Sequence, residues 1–322
     1  MPRSKRPRAQ VARLAGTKKL TTVGDWLRFA VTCFSREPLT FAQGLHGPQE
    51  EAMFLVARFL GLEQDDLTHF LGSRLARPEI AELRRLIQAR VERHVPVAYL
   101  VHEAWQGGLR FFVDRRVLIP RSYVAALLPE AVTAFAGRGW KPERILDIGT
   151  GCGCLAILAA RAFPAATVDA IDVSPDALAV AERNVAAHEL EERVHLLQSD
   201  VFSAVPGTRY DLIIANPPYE PTARVEDQPP ELHHEPRLAL DGGADGLSCV
   251  RRIIAEARAH LTPRGVLVLE HGGLRAALAT EFPALRAHLF DLPDGTDAVI
   301  GVRATDLPGS VTSRGIRGRK RP

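Results

Sequence analysis

The chain has 322 residues, of which 46% are hydrophobic and 25% are charged, and it contains four cysteines. This length suits one large domain and one smaller domain, and no apolar run approaches the ~18 residues that a membrane span needs. The basic N-terminus is not followed by an apolar core, so we expect no secretory signal and a cytoplasmic location. Four sparse cysteines without a C-x-x-C pair predict neither a disulfide framework nor a metal site.

Charge is distributed unevenly along the chain. Residues 1–20 carry seven basic side chains and residues 307–322 carry five, with no acidic side chain in either segment. The remaining body has 29 basic and 38 acidic residues. We therefore separate residues 1–20 and 305–322 as basic tails. Basic tails on an acidic body are typical of contact with RNA or another polyanion, and they are also typical of solubilising ends.

Residues 21–98 have the pattern of a small helical domain. Apolar residues recur at helical spacing between residues 27 and 34 and again between residues 83 and 91. Residues 22–25 supply side chains of the kind that cap a helix before the first run. Prolines and glycines between residues 38 and 48 interrupt the pattern, which indicates separate helices.

The pattern changes after residue 98. In residues 99–122, Gly107-Gly108 separates short runs rich in aromatic and β-branched residues, which predicts a β-hairpin linker. In residues 123–304, candidate strands alternate with helical runs at 155–162 and 175–188, which predicts an α/β fold with a mainly parallel sheet. The candidate strands are residues 144–148, 167–173, 194–197, 210–215, 266–270, 288–292 and 298–302.

The first candidate strand of this region runs directly into a glycine-rich turn. Glycines allow a tight turn and a close approach of a ligand, and ligands of open α/β sheets bind beyond the carboxyl ends of the strands. The dinucleotide fingerprint G-x-G-x-x-G fails at Cys154, and no Walker lysine follows. The order D-x-G-x-G-x-G instead resembles motif I of class I methyltransferases, which bind S-adenosylmethionine. The cofactor residues assigned in this turn are Asp147, Gly149, Thr150, Gly151, Cys152 and Gly153.

The next two strands also end on acidic side chains. Asp172 is placed to bind a ribose diol, because a carboxylate accepts two hydroxyl hydrogen bonds. Asp200 is placed to accept from an adenine amino group, with Val201 lining the ring. Two other interpretations stay open. Asp172 caps the following helix in the first, and in the second Cys152 and Cys154 form a redox pair, whereas the simpler explanation is that a tight turn needs small residues.

The motif Asn216-Pro217-Pro218-Tyr219 follows the fourth of these strands, and we assign all four residues as catalytic. A planar nitrogen is a poor nucleophile, so a site must hold its two hydrogens and aim its lone pair at the methyl carbon. Asn216 supplies one acceptor and the Pro217 carbonyl a second, while the prolines fix its direction. Tyr219 can stack on the planar group, and positioning supplies much of the rate. Asn216 is also counted as a cofactor contact; a simple Asn-Pro-Pro turn is the alternative.

From about residue 20 to residue 304 the sequence resembles the glutamine N5-methyltransferases of the HemK family, in particular the PrmB branch. The resemblance implies a class I, Rossmann-like methyltransferase domain with a seven-stranded, mainly parallel sheet. It also implies an N-terminal helical domain for substrate recognition and the hairpin linker. The motifs that carry it are residues 22–27, 96–100, 117–122, 147–153, 216–219, 234–236 and 238–240.

The resemblance also implies a substrate, namely a glutamine of a translation protein. For the PrmB branch this is ribosomal protein uL3, free or in an assembling particle, and for the sister branch it is the class 1 release factors at their Gly-Gly-Gln motif. Ser122 after Ile119-Pro120-Arg121 and His234 before Glu235-Pro236 favour the PrmB branch. Adenine N6-methylation of nucleic acid and a non-catalytic assembly role are the remaining alternatives. The acidic body argues against the first, and the intact motifs argue against the second.

Overall fold

The computed structural model describes residues 17–292 and 294–308, so most of both basic tails lies outside the described residues. The described chain divides into two compact units. Unit 1 comprises residues 17–103 and Pro229–His234, and unit 2 comprises residues 104–228 together with the described residues from 235 onward. No helix in the described part is long and apolar enough to cross a membrane.

Unit 1 is helical, as the sequence predicts. Its helices are α1 (Val23–Arg36), α2 (Pro48–Phe59), α3 (Arg77–Arg93) and α4 (Val97–Val101). A capping box starts α1, because the Thr22 side chain accepts from the Asp25 amide while the Asp25 carboxylate accepts from the Thr22 amide. The buried faces of these helices share one apolar core, which includes Trp26, Phe34, Leu55 and Ile87.

A buried arginine lies at the centre of unit 1. Arg90 Nε donates to Glu51 Oε2 at 2.7 Å, and Arg90 NH1 donates to Glu231 Oε1 at 3.0 Å. Glu231 belongs to Pro229–His234, the segment that leaves unit 2 and returns to it at residue 235. The Thr40 amide and His94 Nδ1 also contact Glu231 Oε1, at 3.1 and 2.9 Å. These contacts secure the segment within unit 1, and the sequence analysis did not predict its place there.

Unit 2 begins with a β-hairpin. Strands β1 (Ala104–Gln106) and β2 (Leu109–Phe111) pair in antiparallel register. Gly107 and Gly108 form the turn between them with φ of 56° and 74°. Two successive residues with positive φ are typical of the turn that suits the twist of a tight hairpin, and glycine adopts that conformation without strain.

A seven-stranded sheet forms the centre of unit 2, which confirms the predicted α/β fold. The strand order is β5-β4-β3-β6-β7-β9-β8, and β9 runs in the direction opposite to the other six strands. Strand β7 begins five residues earlier than expected, because Pro263 and Gly265 interrupt the apolar pattern. The strands are β3 (Arg144–Ile148), β4 (Thr167–Asp172), β5 (Val194–Gln198), β6 (Tyr210–Ala215), β7 (Leu261–Glu270), β8 (His288–Leu289) and β9 (Val299–Arg303).

Seven helices occur in the described part of unit 2. The predicted runs 155–162 and 175–188 correspond to α7 and α8. Two short helices, α5 and α6, precede these runs and are separated at Pro129, which lacks the amide that a continuous helix needs. The helices are α5 (Val124–Leu127), α6 (Glu130–Ala136), α7 (Cys154–Ala162), α8 (Pro175–Ala187), α9 (Thr222–Glu226), α10 (Ser248–Ala257) and α11 (Arg275–Glu281).

Candidate active site

The strand order of the sheet reverses between β3 and β6, and ligands of open α/β sheets bind where the carboxyl ends of such strands meet. Strand β3 continues into the glycine-rich turn, and β6 continues into Asn216. A cavity of about 310 Å³ lies at this edge, which is within the range of ~300–1,000 Å³ for small-molecule sites. The predicted site residues in its wall are Gly149, Gly151, Asp172, Asp200, Val201, Asn216, Pro217 and Pro218.

The glycines of the turn have different surroundings. Gly149 and Gly151 have φ of 73° and 56° and face the cavity. A Cβ at Gly151 would meet no atom within 4 Å, and one at Gly149 would meet only the Asn216 carbonyl, at 3.9 Å. A Cβ at Gly153 would lie 3.3 Å from Ala181 Cβ on α8. The first two glycines therefore leave room for a ligand, and the third allows the turn to pack on α8.

Asp147 lies behind the turn and not in the cavity wall. It is fully buried, and its Oδ2 accepts from Thr150 Oγ1 at 2.6 Å and from the Ala156 amide at 3.1 Å. Its Oδ1 has no hydrogen-bond partner among the described residues. Burial raises the pKa of Asp147 to about 7. Asp147 therefore fixes the turn and the start of α7, and its charge depends on pH near neutrality.

Asp172 holds the turn from the cavity side. Its Oδ2 accepts from the Gly151 amide and its Oδ1 from the Ser174 amide, both at 2.9 Å. Burial raises the pKa of this half-buried carboxyl group. The N-cap of α8 is Ser174, whose side chain accepts from the Ala177 amide, so capping does not account for Asp172. Each carboxylate oxygen has acceptor capacity left for a ligand hydroxyl.

Asp200 and Val201 form another part of the wall. Asp200 is exposed and accepts from Arg252 NH1 at 2.7 Å, so its carboxylate is shared with an arginine that also lines the cavity. Val201 is buried and has a φ of 51°. A β-branched residue rarely adopts positive φ, and such strained positions cluster at functional sites.

The two turn cysteines are buried, and neither lines the cavity. A hydrogen bond with Cys152, together with burial, raises the pKa of the Cys154 thiol. A thiol with a raised pKa stays protonated and unreactive, which argues against the redox interpretation. In the described part of the chain, no three His, Cys, Asp or Glu side chains are grouped so that they could hold a metal ion.

The four residues of the Asn216-Pro217-Pro218-Tyr219 loop are placed differently. Asn216 and both prolines line the cavity, whereas Tyr219 does not. The Tyr219 hydroxyl donates to Glu270 Oε1 at 3.1 Å. The stacking role of Tyr219 therefore stays a prediction. Of the other assigned residues, Thr150, Cys152 and Gly153 also lie outside the wall and belong to the support of the turn.

Some residues of the site were missed by the sequence analysis, and Asn184 is the clearest example. Its Nδ2 donates to the carbonyls of Cys152 and Phe112, at 2.8 and 3.0 Å, and its Oδ1 accepts from the Phe112 amide at 2.7 Å. It thereby joins the turn to the chain after the hairpin. A signal was present, because Asn184 is the single polar residue on the buried face of α8, among Ala177, Val180, Ala181 and Val185.

Glu235 connects two motifs that are far apart in sequence. Its carboxylate accepts from Arg121 NH1 at 2.6 Å and from Arg121 NH2 at 2.8 Å. It also accepts from the Ile119 amide at 3.0 Å. A buried carboxylate that receives a two-pronged arginine contact is strongly oriented. The two motifs were noted in the sequence, but their contact became evident only in the structure.

Comparison with known proteins identifies the family. A family model for the methyltransferase small domain matches residues 126–229. The ribosomal protein uL3 glutamine methyltransferase of Bordetella pertussis is 44% identical over 88% of this chain and 95% of its own length. The enzyme of that name from Bradyrhizobium diazoefficiens is also 44% identical, over 91% of this chain and 93% of its own.

Solved structures agree on the fold. The catalytic domain of hMettl16, in complex with hairpin 1 of the MAT2A 3′UTR, matches with a TM-score of 0.50 and 16% identity. The match covers 78% of this chain and 90% of that domain. At this identity the likeness shows the fold alone, a Rossmann-like methyltransferase sheet.

The cavity fits the methyl donor of this family. Two open glycines leave room for a ligand in the cavity, and the carboxylate of Asp172 in its wall can accept from hydroxyl groups such as those of a ribose. S-adenosylmethionine supplies a methyl group on a positively charged sulfur. The chain therefore belongs to the family of ribosomal protein uL3 glutamine methyltransferases, and it is an enzyme that uses S-adenosylmethionine as its methyl donor.

Proposed function

We propose that this protein methylates the side-chain amide nitrogen, N5, of a glutamine in ribosomal protein uL3. The relatives named for that activity share 44% identity over most of the chain, which supports the substrate class. The observation that carries the proposal is that Asn216 and Pro217 line the same cavity as Gly151 and Asp172. An amide held by the first pair lies beside a methyl donor held by the second.

The catalytic residues act by orienting the amide. We assign the Asn216 side-chain oxygen and the Pro217 carbonyl to the two amide hydrogens, so that the nitrogen lone pair points at the methyl carbon. Pro218 stiffens the loop, and Tyr219 packs beside the planar group. Positioning of this kind removes much of the entropic barrier of a transfer between two bound groups. The methylated nitrogen then loses one proton, which restores the neutral amide.

Different residues of the cavity are assigned to different parts of S-adenosylmethionine. We assign Asp172 to the ribose hydroxyls, Asp200 to the adenine amino group and Val201 to the adenine face. Gly149 and Gly151 give the ligand access to the backbone. Asp147, Thr150, Cys152 and Gly153 shape the turn from behind.

The remaining segments receive roles that follow from this substrate. We assign residues 21–98 to substrate recognition, residues 99–122 to the linker and residues 123–304 to methyl transfer. The basic tails, residues 1–20 and 305–322, would contact rRNA if uL3 is modified within an assembling particle. Action on a ribosomal protein implies a cytoplasmic location.

The catalytic assignment is tested by Asn216→Ala. We expect this variant to keep most of its affinity for S-adenosylmethionine, because the turn and Asp172 remain and only the contact from Asn216 is lost, and to lose methyl transfer by at least about 100-fold. Calorimetry measures the binding, and transfer of a labelled methyl group measures the rate. A variant that transfers methyl at the wild-type rate would show that Asn216 is not catalytic.

The substrate is tested separately. Extract from cells that lack the enzyme is supplied with purified protein and labelled S-adenosylmethionine, and the labelled polypeptides are identified by mass spectrometry. We expect the label on a glutamine of uL3. Label on class 1 release factors alone, or on nucleic acid, would overturn the substrate assignment and leave the methyltransferase assignment intact.

A further inference from the structure

Glu270, the last residue of β7, is buried and has an exposed fraction of only 2%. Three neutral groups donate to its carboxylate. The Ser122 hydroxyl and the Tyr123 amide reach Oε2 at 2.7 and 2.9 Å, and the Tyr219 hydroxyl reaches Oε1 at 3.1 Å. One buried side chain therefore joins the segment after Arg121 to the last residue of the Asn216–Tyr219 loop.

The chemistry of this cluster depends on a carboxylate. Both oxygens of an ionised carboxyl group are acceptors, so it can receive all three donors together. A glutamine at this position has one oxygen and one NH₂ group, and its oxygen must stay on the side of the Tyr123 amide, which cannot accept. Its NH₂ group then faces the Tyr219 hydroxyl, which must change from donor to acceptor. Hydrogen bonds to an ionised group are also shorter and stronger than those between neutral groups. Replacement of Glu270 by glutamine therefore keeps the shape, but it exchanges the hydrogen bond from Tyr219 to an ionised acceptor for a weaker bond between neutral groups.

The ring of Tyr219 is constrained from a second direction. Gly272 has a φ of 55°, and a Cβ at this position would overlap the ring, 2.8 Å from Tyr219 Cζ. The missing side chain at Gly272 allows the ring to lie directly on the backbone. With the hydroxyl held by Glu270, the ring has one orientation that satisfies both contacts.

The segment that shares Glu270 is itself anchored. Arg121 precedes Ser122 and makes the two contacts with Glu235 described above, at 2.6 and 2.8 Å. Glu270 therefore lies between a fixed segment and the catalytic loop. Because Glu235 already fixes the segment after Arg121, the hydrogen bond between Glu270 and Tyr219 restricts the position of the Asn216–Tyr219 loop.

We propose that Glu270 is a positioning residue for methyl transfer, which holds Tyr219 and with it the Asn216–Tyr219 loop in the orientation that the reaction needs. The proposal rests on the proposed catalytic role of that loop. Glu270 does not line the donor cavity, so it acts through Tyr219 and not on the substrate.

The test is a double-variant cycle with Glu270→Gln and Tyr219→Phe. We expect Glu270→Gln to lower kcat by about 10- to 100-fold, the loss typical of a displaced reacting geometry. The affinity for S-adenosylmethionine and the KM for uL3 should stay within about threefold of wild type, because neither binding surface changes. The double variant should be no slower than the slower single variant, since both changes act on the same contact. Glu192→Gln, an exposed glutamate elsewhere in unit 2, is the matched control.

Several results would overturn the proposal. Glu270→Gln at the rate of the control, a rise in KM without a fall in kcat, or fully additive losses in the double variant would each show that Glu270 does not act through Tyr219. If Glu270→Gln fails to fold by circular dichroism, the cycle is run with Ser122→Ala and Tyr219→Phe, and additive losses there count against the proposal. Asn216→Ala separates the two ideas, because full activity in that variant would reject the catalytic loop itself.

Discussion

Asp147 is a carboxyl group in an unusual setting. It is fully buried, one of its oxygens has no partner among the described residues, and burial raises its pKa to about 7. Below this pKa the group is protonated and neutral, and above it the group is an anion. S-adenosylmethionine carries a net positive charge, so it is bound more tightly by the ionised form. By linkage, a bound cation in turn lowers the pKa of Asp147.

This setting predicts how donor binding depends on pH. As the pH falls from 8 to 6, through the pKa of about 7, the affinity for S-adenosylmethionine should fall by up to about tenfold. In Asp147→Asn the affinity should be lower at pH 8 and nearly independent of pH. Calorimetric titration at several pH values measures both. Asp211→Asn, which removes a carboxylate at the opposite end of the sheet, should keep the wild-type dependence, and an unchanged profile in Asp147→Asn would contradict the prediction.

Two adjacent glycines allow the contact below Tyr219 to be tested. Gly272 and Gly273 both have positive φ, 55° and 86°, so alanine strains the backbone at either position. Only at Gly272 does the new Cβ meet the Tyr219 ring, since at Gly273 it meets no atom within 4 Å. We expect Gly272→Ala to lower kcat by about 10- to 100-fold and Gly273→Ala to have a much smaller effect. Equal kcat in the two variants, measured by methyl transfer, would show that the ring contact is unimportant.

At the scale of elements, α2, α3 and the segment Pro229–His234 are joined by one buried cation. Arg90 on α3 is fully buried and contacts two glutamates, each with at most 4% of its side chain exposed. A buried ion pair contributes little net stability compared with apolar packing, but removal of one partner leaves an uncompensated charge. The packing of these three elements therefore depends more on Arg90 than on any exposed ion pair of α3.

This dependence predicts the effect of Arg90→Met. Loss of the guanidinium leaves Glu51 and Glu231 buried without their cation, and we expect the free energy of unfolding to fall by about 3–5 kcal/mol. Denaturation in urea, followed by circular dichroism, measures it. Arg85→Met on the same helix removes an exposed pair with Glu82 and should have little effect. A similar loss in the free energy of unfolding in both variants would show that the buried network contributes no more to stability than the exposed pair.

For the whole molecule, the charge distribution bears on the state of the substrate. Residues 1–16 and 309–322 lie outside the described residues and carry ten basic side chains. The logarithm of the binding constant K falls linearly with the logarithm of the salt concentration when a protein contacts phosphates. If the tails make such contacts, their removal should make this slope less steep by about 0.7–0.9 for each lost contact. We expect this for binding to a particle that contains uL3 and rRNA, with no change for free uL3. An unchanged slope for the particle would reject the rRNA role of the tails.

Much of the fold was predictable because it depends on local patterns. Apolar runs of four to seven residues followed by amphipathic runs identified the sheet and its main helices, and the glycine-rich turn and Asn216-Pro217-Pro218-Tyr219 were recognisable as short motifs. Their common location also followed, since parallel strands place their carboxyl ends on one edge. The start of β7 was missed, because Pro263 and Gly265 hide the strand in the pattern.

The sequence by itself determined the family and the motifs of the site, and so the residues that we propose hold the methyl donor and orient the amide. Tertiary structure decided which residues support them. Glu270 meets Ser122 across 148 positions and Tyr219 across 51, and Arg90 meets Glu231 across 141. Motifs are readable because a tight turn needs particular residues in a row. Buried polar partners are not readable from the sequence, because the pairing of each one depends on which donors the folded chain brings within about 3 Å.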